Sequence, residues 1–240
     1  MSKYFTFSLD DGVTQDEKII GIFKKYGFHG CTFFINTGLL GANWDHVGAL
    51  YGKPGVTHIR FSEEELRSGV YDGFDVAVHT LHHPALKDYD GEPEKITHEI
   101  NGDAENIKRI FGAAPVGMSY PYGEDAVTEK TIKTILETTD IRYSRGVRST
   151  YGFDIPDDFM VWLPTCSLTD DKTIGLAEKF VKLDPKEDSL FYVWCHGYEL
   201  DIFDTYGRLE ELIKLMTGAK DIICADNTEF YRLFAERNKK

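Results

Sequence analysis

Short apolar runs and helix-periodic segments alternate along the whole of this 240-residue chain, and no other feature restricts the fold as much. Lys3–Leu9 alternates aromatic with small or polar residues and ends at Asp10-Asp11-Gly12, a strand running into a turn. Asp16–Tyr26 keeps Ile19, Ile22, Phe23 and Tyr26 at helical spacing and stops at Gly27. Cys31–Ile35, Phe74–Val78, Val116–Tyr120, Ile141–Ser144, Phe159–Leu163, Leu190–Trp194 and Asp221–Cys224 read as further strands. Helices are expected over Pro93–Phe111, over Asp125–Glu137, after Asp170 or Asp171, around Leu209–Met216 and from Asn227 onward. A shorter one is opened by the capping box of Ser62 and Glu65. Asn36–Arg60 carries several glycines with little periodicity and reads as a long loop, which in a compact domain is usually functional.

Such alternation implies a parallel sheet covered by helices. The residues able to do chemistry fall just after the first, third, fourth and seventh strands. Strand ends converge on one mouth in a (β/α) barrel, whereas a doubly wound open sheet collects them at a single switch point. The spread therefore predicts an α/β fold, a (β/α) barrel of about seven or eight parallel strands, with residues 1–240 forming a single catalytic domain.

The net charge of −13 argues against a nucleic-acid partner, which needs clustered Lys and Arg, and offers nothing to an anionic membrane. A neutral substrate suits it better. Cys31, Cys166, Cys195 and Cys224 are scattered without a C-x-x-C pair and are expected as buried free thiols. No signal peptide is visible and no stretch reaches the roughly 18 apolar residues of a membrane span, so the chain as given reads as cytoplasmic.

The chemistry concentrates in His79-Thr80-Leu81-His82-His83-Pro84, at the end of an apolar strand. Residues four apart in an extended strand are about 13 Å from each other, too far to share an ion. A helical turn after His79 would instead bring His79 and His83 to about 6 Å on one face, with His82 pointing elsewhere. Three protein ligands and an open position describe a catalytic metal site, so a carboxylate is wanted as the third. Asp10-Asp11 supplies one, with a second carboxylate left to stand beside the water and accept its proton. Each piece alone has an ordinary structural reading: a surface histidine pair, a turn, a hydrogen-bonded core histidine at His196. Their placement at several strand ends of one chain points to a single site.

In motif order, most of the chain resembles the polysaccharide deacetylases, the NodB-homology domain of carbohydrate esterase family four. Ser8-Leu9-Asp10-Asp11-Gly12 resembles the family's T-F-D-D-G, and His79, Thr80, His83 and Pro84 match H-[ST]-x-x-H-P in full. Ser119-Tyr120-Pro121-Tyr122 resembles R-x-P-Y, and Leu190 to His196 resembles the strand that leads to the family's last histidine. The resemblance implies a deformed (β/α) barrel and a hydrolase that removes acetyl groups from an N- or O-acetylated carbohydrate. It implies one divalent metal ion, zinc first and cobalt, nickel or manganese as substitutes, held by Asp11, His79 and His83. It further implies Asp10 as general base, His196 as general acid, the Tyr122 backbone N–H as an oxyanion donor and Thr80 as a brace for the histidine loop.

Two motifs depart from the family pattern. Ser119 stands where the third motif carries the arginine that orients the catalytic aspartate, and Arg145 or Arg148 is the expected substitute. The aspartate-tryptophan pair of the fourth motif has no clear match: Trp162 is the candidate for its aromatic place at the rim. Asp201 or Asp226 is expected to support His196. Tyr198, with Phe203 and Tyr206, would offer a stacking surface to a sugar. Two rival readings are a hydrolase of a small cyclic amide or ureide on the same fold, and a catalytically silent carbohydrate-binding relative.

Overall fold

The computed structural model describes residues 1–44 and 46–235. Its strands are β1 (Lys3–Asp11), β2 (Cys31–Ile35), β3 (Asp75–Val78), β4 (Gly117–Ser119), β5 (Tyr143–Arg145), β6 (Cys166–Ser167), β7 (Ser189–His196) and β8 (Ile222–Cys224). The helices are α1 (Asp16–Lys25), α2 (Val47–Leu50), α3 (Glu63–Arg67), α4 (Pro93–Phe111), α5 (Glu129–Thr138), α6 (Thr173–Val181), α7 (Gly197–Phe203), α8 (Tyr206–Gly218) and α9 (Asn227–Ala235). All strand pairs are parallel, in the order β5-β4-β3-β2-β1-β7-β6, with β8 beside the first residues of β1. The sheet curls into a deformed barrel. No helix among the described residues is long and apolar enough to cross a membrane.

All nine residues of β1 and all five of β2 are buried, because helices cover one face and the barrel interior takes the other. Period two along β1 sends Phe5, Phe7 and Leu9 outward under the helices, where they join Ile19, Phe23, Ile100 and Leu212. Tyr4, by contrast, faces the lumen with Phe34, Ala77, Tyr143, Trp162, Leu190 and Tyr192, and Phe230 and Phe234 of α9 close its base. Thr6, Ser8 and Asp10 share the alternation of Tyr4. A buried polar column follows: Thr6 Oγ1 donates to Asn227 Oδ1 at 2.9 Å, and Ser8 Oγ lies 3.0 Å from the Tyr192 hydroxyl. Gly117 makes room in this interior, since a Cβ there would lie 1.8 Å from the Tyr143 ring.

Most elements lie where the periodicity places them, with corrections of a few residues. The strand expected over Phe159–Leu163 is instead a 3₁₀ turn at Phe159–Val161 followed by a single bridge from Trp162 to Arg145. Pro164, lacking an N–H, interrupts pairing there, and the segment resumes as the two-residue β6 beside β7. The long loop 36–60 holds a 3₁₀ turn at Thr37–Leu39, helix α2 and two antiparallel bridges. Cys31, Cys166, Cys195 and Cys224 are all free thiols, the first three buried.

Candidate active site

Residues of one parity reach the upper end of the lumen from separate strands. Asp10 ends the lumen-facing row of β1, His79 follows Ala77 past β3, Arg145 follows Tyr143 in β5, and Trp194 and His196 follow Tyr192 in β7. Alternation alone would turn Asp11 to the outer face. A left-handed backbone at Asp11 (φ 80°) and Gly12 (φ 65°) redirects it toward the site. Gly12 is needed twice over, because a Cβ there would also meet Ile35 Cγ2 at 2.9 Å.

The histidine loop is not a helical turn. Thr80 and His83 both take left-handed backbone conformations, with φ of 66° and 58°. The result serves the same end: the His79 and His83 rings stand 4.9 Å apart at 77°. Thr80 braces the loop by accepting from His83 N–H at 3.1 Å. Asn36 donates to the carbonyls of His79 and Thr80, and Asp103 accepts from His79 N–H at 3.0 Å and from Thr37 N–H at 2.7 Å. His82 points aside, its Nδ1 2.9 Å from Glu99 Oε1.

Asp11 Oδ1 lies 3.9 Å from Nε2 of both His79 and His83. One ligand atom from each of the three residues falls within 4.8 Å of the others. A tetrahedral ion with bonds near 2.0–2.1 Å separates its ligands by about 3.4 Å, so a small inward adjustment of these three completes such a site. His79 Nε2 is buried with no hydrogen-bond partner among the described residues, as expected of an atom reserved for an ion. Its other nitrogen faces Ser119, 2.6 Å from Oγ and 3.0 Å from the carbonyl oxygen. Burial holds both imidazoles below their ordinary pKa despite the two aspartates, His83 at about 4, so both are neutral at pH 7 with lone pairs available. One carboxylate and two neutral imidazoles suit a divalent ion of the zinc type.

Asp10 is nearly buried, and burial alone would raise its pKa. The guanidinium of Arg145 outweighs this, with His79 and His196, and keeps the carboxyl below its ordinary value. Arg145 Nη2 donates to Asp10 Oδ2, and Ser119 Oγ lies 3.4 Å from Oδ1. Arg145 itself is 0% exposed, and its Cζ lies 4.3 Å from the centroid of Trp194. The other candidate, Arg148, is exposed and lies 3.5 Å from Glu124.

His196 Nε2 is 4.0 Å from Asp11 Oδ2. Neither acid expected to support it does so. Asp201 accepts from the Tyr206 hydroxyl, and Asp226 follows the short β8, which ends level with Phe5, far below the site. Glu199, three residues on at the start of α7, approaches instead, with Oε2 3.4 Å from His196 Nδ1 and 2.9 Å from its N–H. Burial would lower the imidazole pKa, but Glu199 overrides it and the group rises to about 9.

The site opens into a cavity of about 670 Å³. Tyr122 lines it with an exposed ring 4.7 Å from His83 and a left-handed backbone (φ 62°). Tyr198 also lines it, 5.1 Å from the His196 ring. Trp162 does not. It is 0% exposed and packs in the lumen core against Tyr192 and Phe230 at 4.9 and 5.3 Å. The tryptophans that do line the cavity are Trp194, two residues before His196, and Trp44. Phe203 and Tyr206 stay outside the lining, Phe203 against Tyr51 at 5.8 Å. Sequence reasoning also passed over His58 and Arg60, which lie in the long loop and reach Asp11.

The sequence model of a family described as polysaccharide deacetylase matches residues 2–144, more than half of the chain. A family 4 acetyl xylan esterase from Clostridium thermocellum, solved with a cobalt ion, aligns over 97% of this chain and 92% of its own, with a TM-score of 0.58 and 14% identity. The peptidoglycan deacetylase PdaC from Bacillus subtilis aligns over 99% of this chain and 94% of its own, at 0.56 and 19%. A polysaccharide deacetylase from Bacillus cereus is longer: the chain covers 45% of it with 66% of its own length, at 0.48 and 17%. For the first two, at these identities, the likeness establishes the fold. No curated protein matches the sequence at a significant level.

Proposed function

Because the chain belongs to the polysaccharide deacetylase family, a family of hydrolases, we propose that it hydrolyses acetyl groups from an N- or O-acetylated carbohydrate with the help of one divalent metal ion. Residues 1–240 are read as one catalytic unit. The observation that carries the reading is the meeting of two aspartates and three histidines, Asp10, Asp11, His79, His83 and His196, in a single cavity.

Asp11, His79 and His83 are the ligands in this reading, with zinc preferred and cobalt, nickel or manganese tolerated. An ion there would lower the pKa of a water toward neutrality and polarise the acyl carbonyl. The residues around it have complementary tasks. Asp10, ionised and oriented by Arg145 and Ser119, removes a proton from the attacking water. Tyr122, held in a left-handed turn, offers its backbone N–H to the oxyanion. His196, kept protonated by Glu199, gives its proton to the departing amine or alkoxide.

A cavity of about 670 Å³ suits a sugar unit bearing its acetyl group. Tyr198 and Trp44 supply apolar ring faces along one wall, and the negative net charge of −13 suits a neutral sugar. Arg145 brings a guanidinium to Asp10 although Ser119 stands at the third motif, which supports acetyl hydrolysis over the cyclic-amide alternative. The test is acetate release from N-acetylated chitooligosaccharides and acetylated xylooligosaccharides. Release that stops on chelation and returns with Zn²⁺ or Co²⁺ supports the proposal; release indifferent to chelation contradicts it.

A further inference from the structure

Asp11 is gripped on both oxygens by a ribbon that the reaction itself does not use. Residues 41–44 run antiparallel to 58–61: Gly41 N–H donates to Phe61 O at 3.0 Å, Trp44 N–H to His58 O at 2.7 Å and Arg60 N–H to Ala42 O at 2.9 Å. Period two then turns His58 and Arg60 to one face of the ribbon and Ile59 to the other. His58 Nε2 lies 2.8 Å from Asp11 Oδ2, and Arg60 Nη2 donates to Asp11 Oδ1 at 3.0 Å. Both side chains are buried.

The ribbon is anchored to the barrel beside the carboxylate it holds. Phe61 N–H donates to Gly12 O at 3.0 Å, Thr14 N–H to Ile59 O at 2.8 Å, and Gln15 Nε2 to Thr57 O at 2.8 Å. The His58 ring packs 4.9 Å from Tyr198 and 5.8 Å from Trp44. Because an ionised carboxylate only accepts, the imidazole must carry its proton on Nε2 and donate it to Oδ2. The two oxygens are thereby made different: Oδ1 faces His79 and His83, while Oδ2 is turned to His58.

We propose that His58 is a positioning residue for Asp11, fixing its rotamer so that Oδ1 alone is presented beside the two imidazoles and raising the affinity of the site for a divalent ion. The proposal rests on reading Asp11, His79 and His83 as metal ligands. Partners of this kind behind a ligand commonly change metal affinity about 10- to 100-fold.

The experiment measures Zn²⁺ affinity of the metal-stripped protein by competition with a chromogenic chelator, with the Co²⁺ absorption spectrum as a second readout. His58→Phe keeps the ring packing but loses the donor. It is expected to weaken Zn²⁺ about 10- to 100-fold and to alter the Co²⁺ spectrum, with the fold unchanged by circular dichroism. His58→Gln, which restores an N–H donor, is expected to recover most of the affinity, a rescue that a purely structural role would not produce. Asp11→Asn separates the two readings. If Asp11→Asn loses Zn²⁺ while His58→Phe binds it like the unaltered protein, the positioning role is overturned and the metal site stands. If Asp11→Asn and the unaltered protein bind alike, the metal-site reading itself fails.

Discussion

Arg145 at the end of β5 hydrogen-bonds the carboxylate of Asp10 at the end of β1, across the barrel lumen and with β4, β3 and β2 between their strands in the sheet. The guanidinium thus reaches Asp10 from a different strand than the family's third motif, whose place is occupied here by Ser119. Both partners are almost wholly buried, so the pair acts where solvent screens it little.

Arg145→Ala is therefore expected to cut turnover on the order of 10²-fold, since Asp10 loses the group that orients it, while bound metal is unchanged. Breaking a buried ion pair also costs about 3–5 kcal/mol of stability, visible in a denaturant melt. The acid limb of the pH profile moves upward, because the cation that depresses the Asp10 pKa has gone. Arg145→Lys does not restore the wild-type rate, a point charge being a poor replacement for a planar fork. Turnover unchanged in Arg145→Ala would remove Arg145 from the account.

In the proposed mechanism His196, as the acid, sets the alkaline limb of the pH–rate profile. Its imidazole is raised to about 9, so the acid form persists through neutral pH and activity falls as pH passes about 9. Glu199→Gln removes the charge that supports the imidazolium, and the limb moves to lower pH. The same linkage bears on stability: a pKa raised on folding contributes fully below the unfolded value near 6.5 and is lost as pH rises through about 9. A pH–rate profile of Glu199→Gln identical to wild type would contradict the assignment.

Trp44 is 57% exposed at the cavity rim. Trp44→Ala is expected to raise KM for an acetylated oligosaccharide roughly three- to tenfold, the worth of one ring contact, with little change in kcat. Hydrolysis of a small acetyl ester, too short to reach the rim, stays unchanged. Equal losses on both substrates would place Trp44 elsewhere in the mechanism.

Trp162 behaves in the opposite way. It is a core residue, so Trp162→Ala is expected to destabilise the protein by about 3–5 kcal/mol and to leave KM for the oligosaccharide unaffected in the folded fraction. A selective rise in KM without loss of stability would return it to the substrate wall.

The barrel was legible because its strands carry unbroken apolar runs and its helices keep their spacing, as in β7 and α4. Asp10, Asp11, His79 and His83 could be picked out because they follow apolar strands, and strand ends are legible in the local sequence; the left-handed turn that brings Asp11 inward is not. What escaped depends on long-range packing. Nothing near Trp162 in the chain shows that α9 closes the lumen over it. His58 and Arg60 belong to a ribbon held by scattered single bridges, too short for a period-two signal beyond the triplet His58-Ile59-Arg60. Glu199 left a faint trace: an acid at the third position of a helix commonly turns back to the residue just before the helix, and here that residue is His196. The left-handed turns at Thr80 and His83 replace the helical turn inferred from four-residue spacing, and no residue type there announces them.

The most direct test compares acetate release by the zinc-loaded protein with release by an Asp11→Asn/His79→Ala variant, on the same acetylated oligosaccharide and with metal content measured in each. The account predicts about one Zn²⁺ per chain and steady acetate release for the first, and neither bound zinc nor release above background for the second. Acetate released by the variant at the wild-type rate would contradict it.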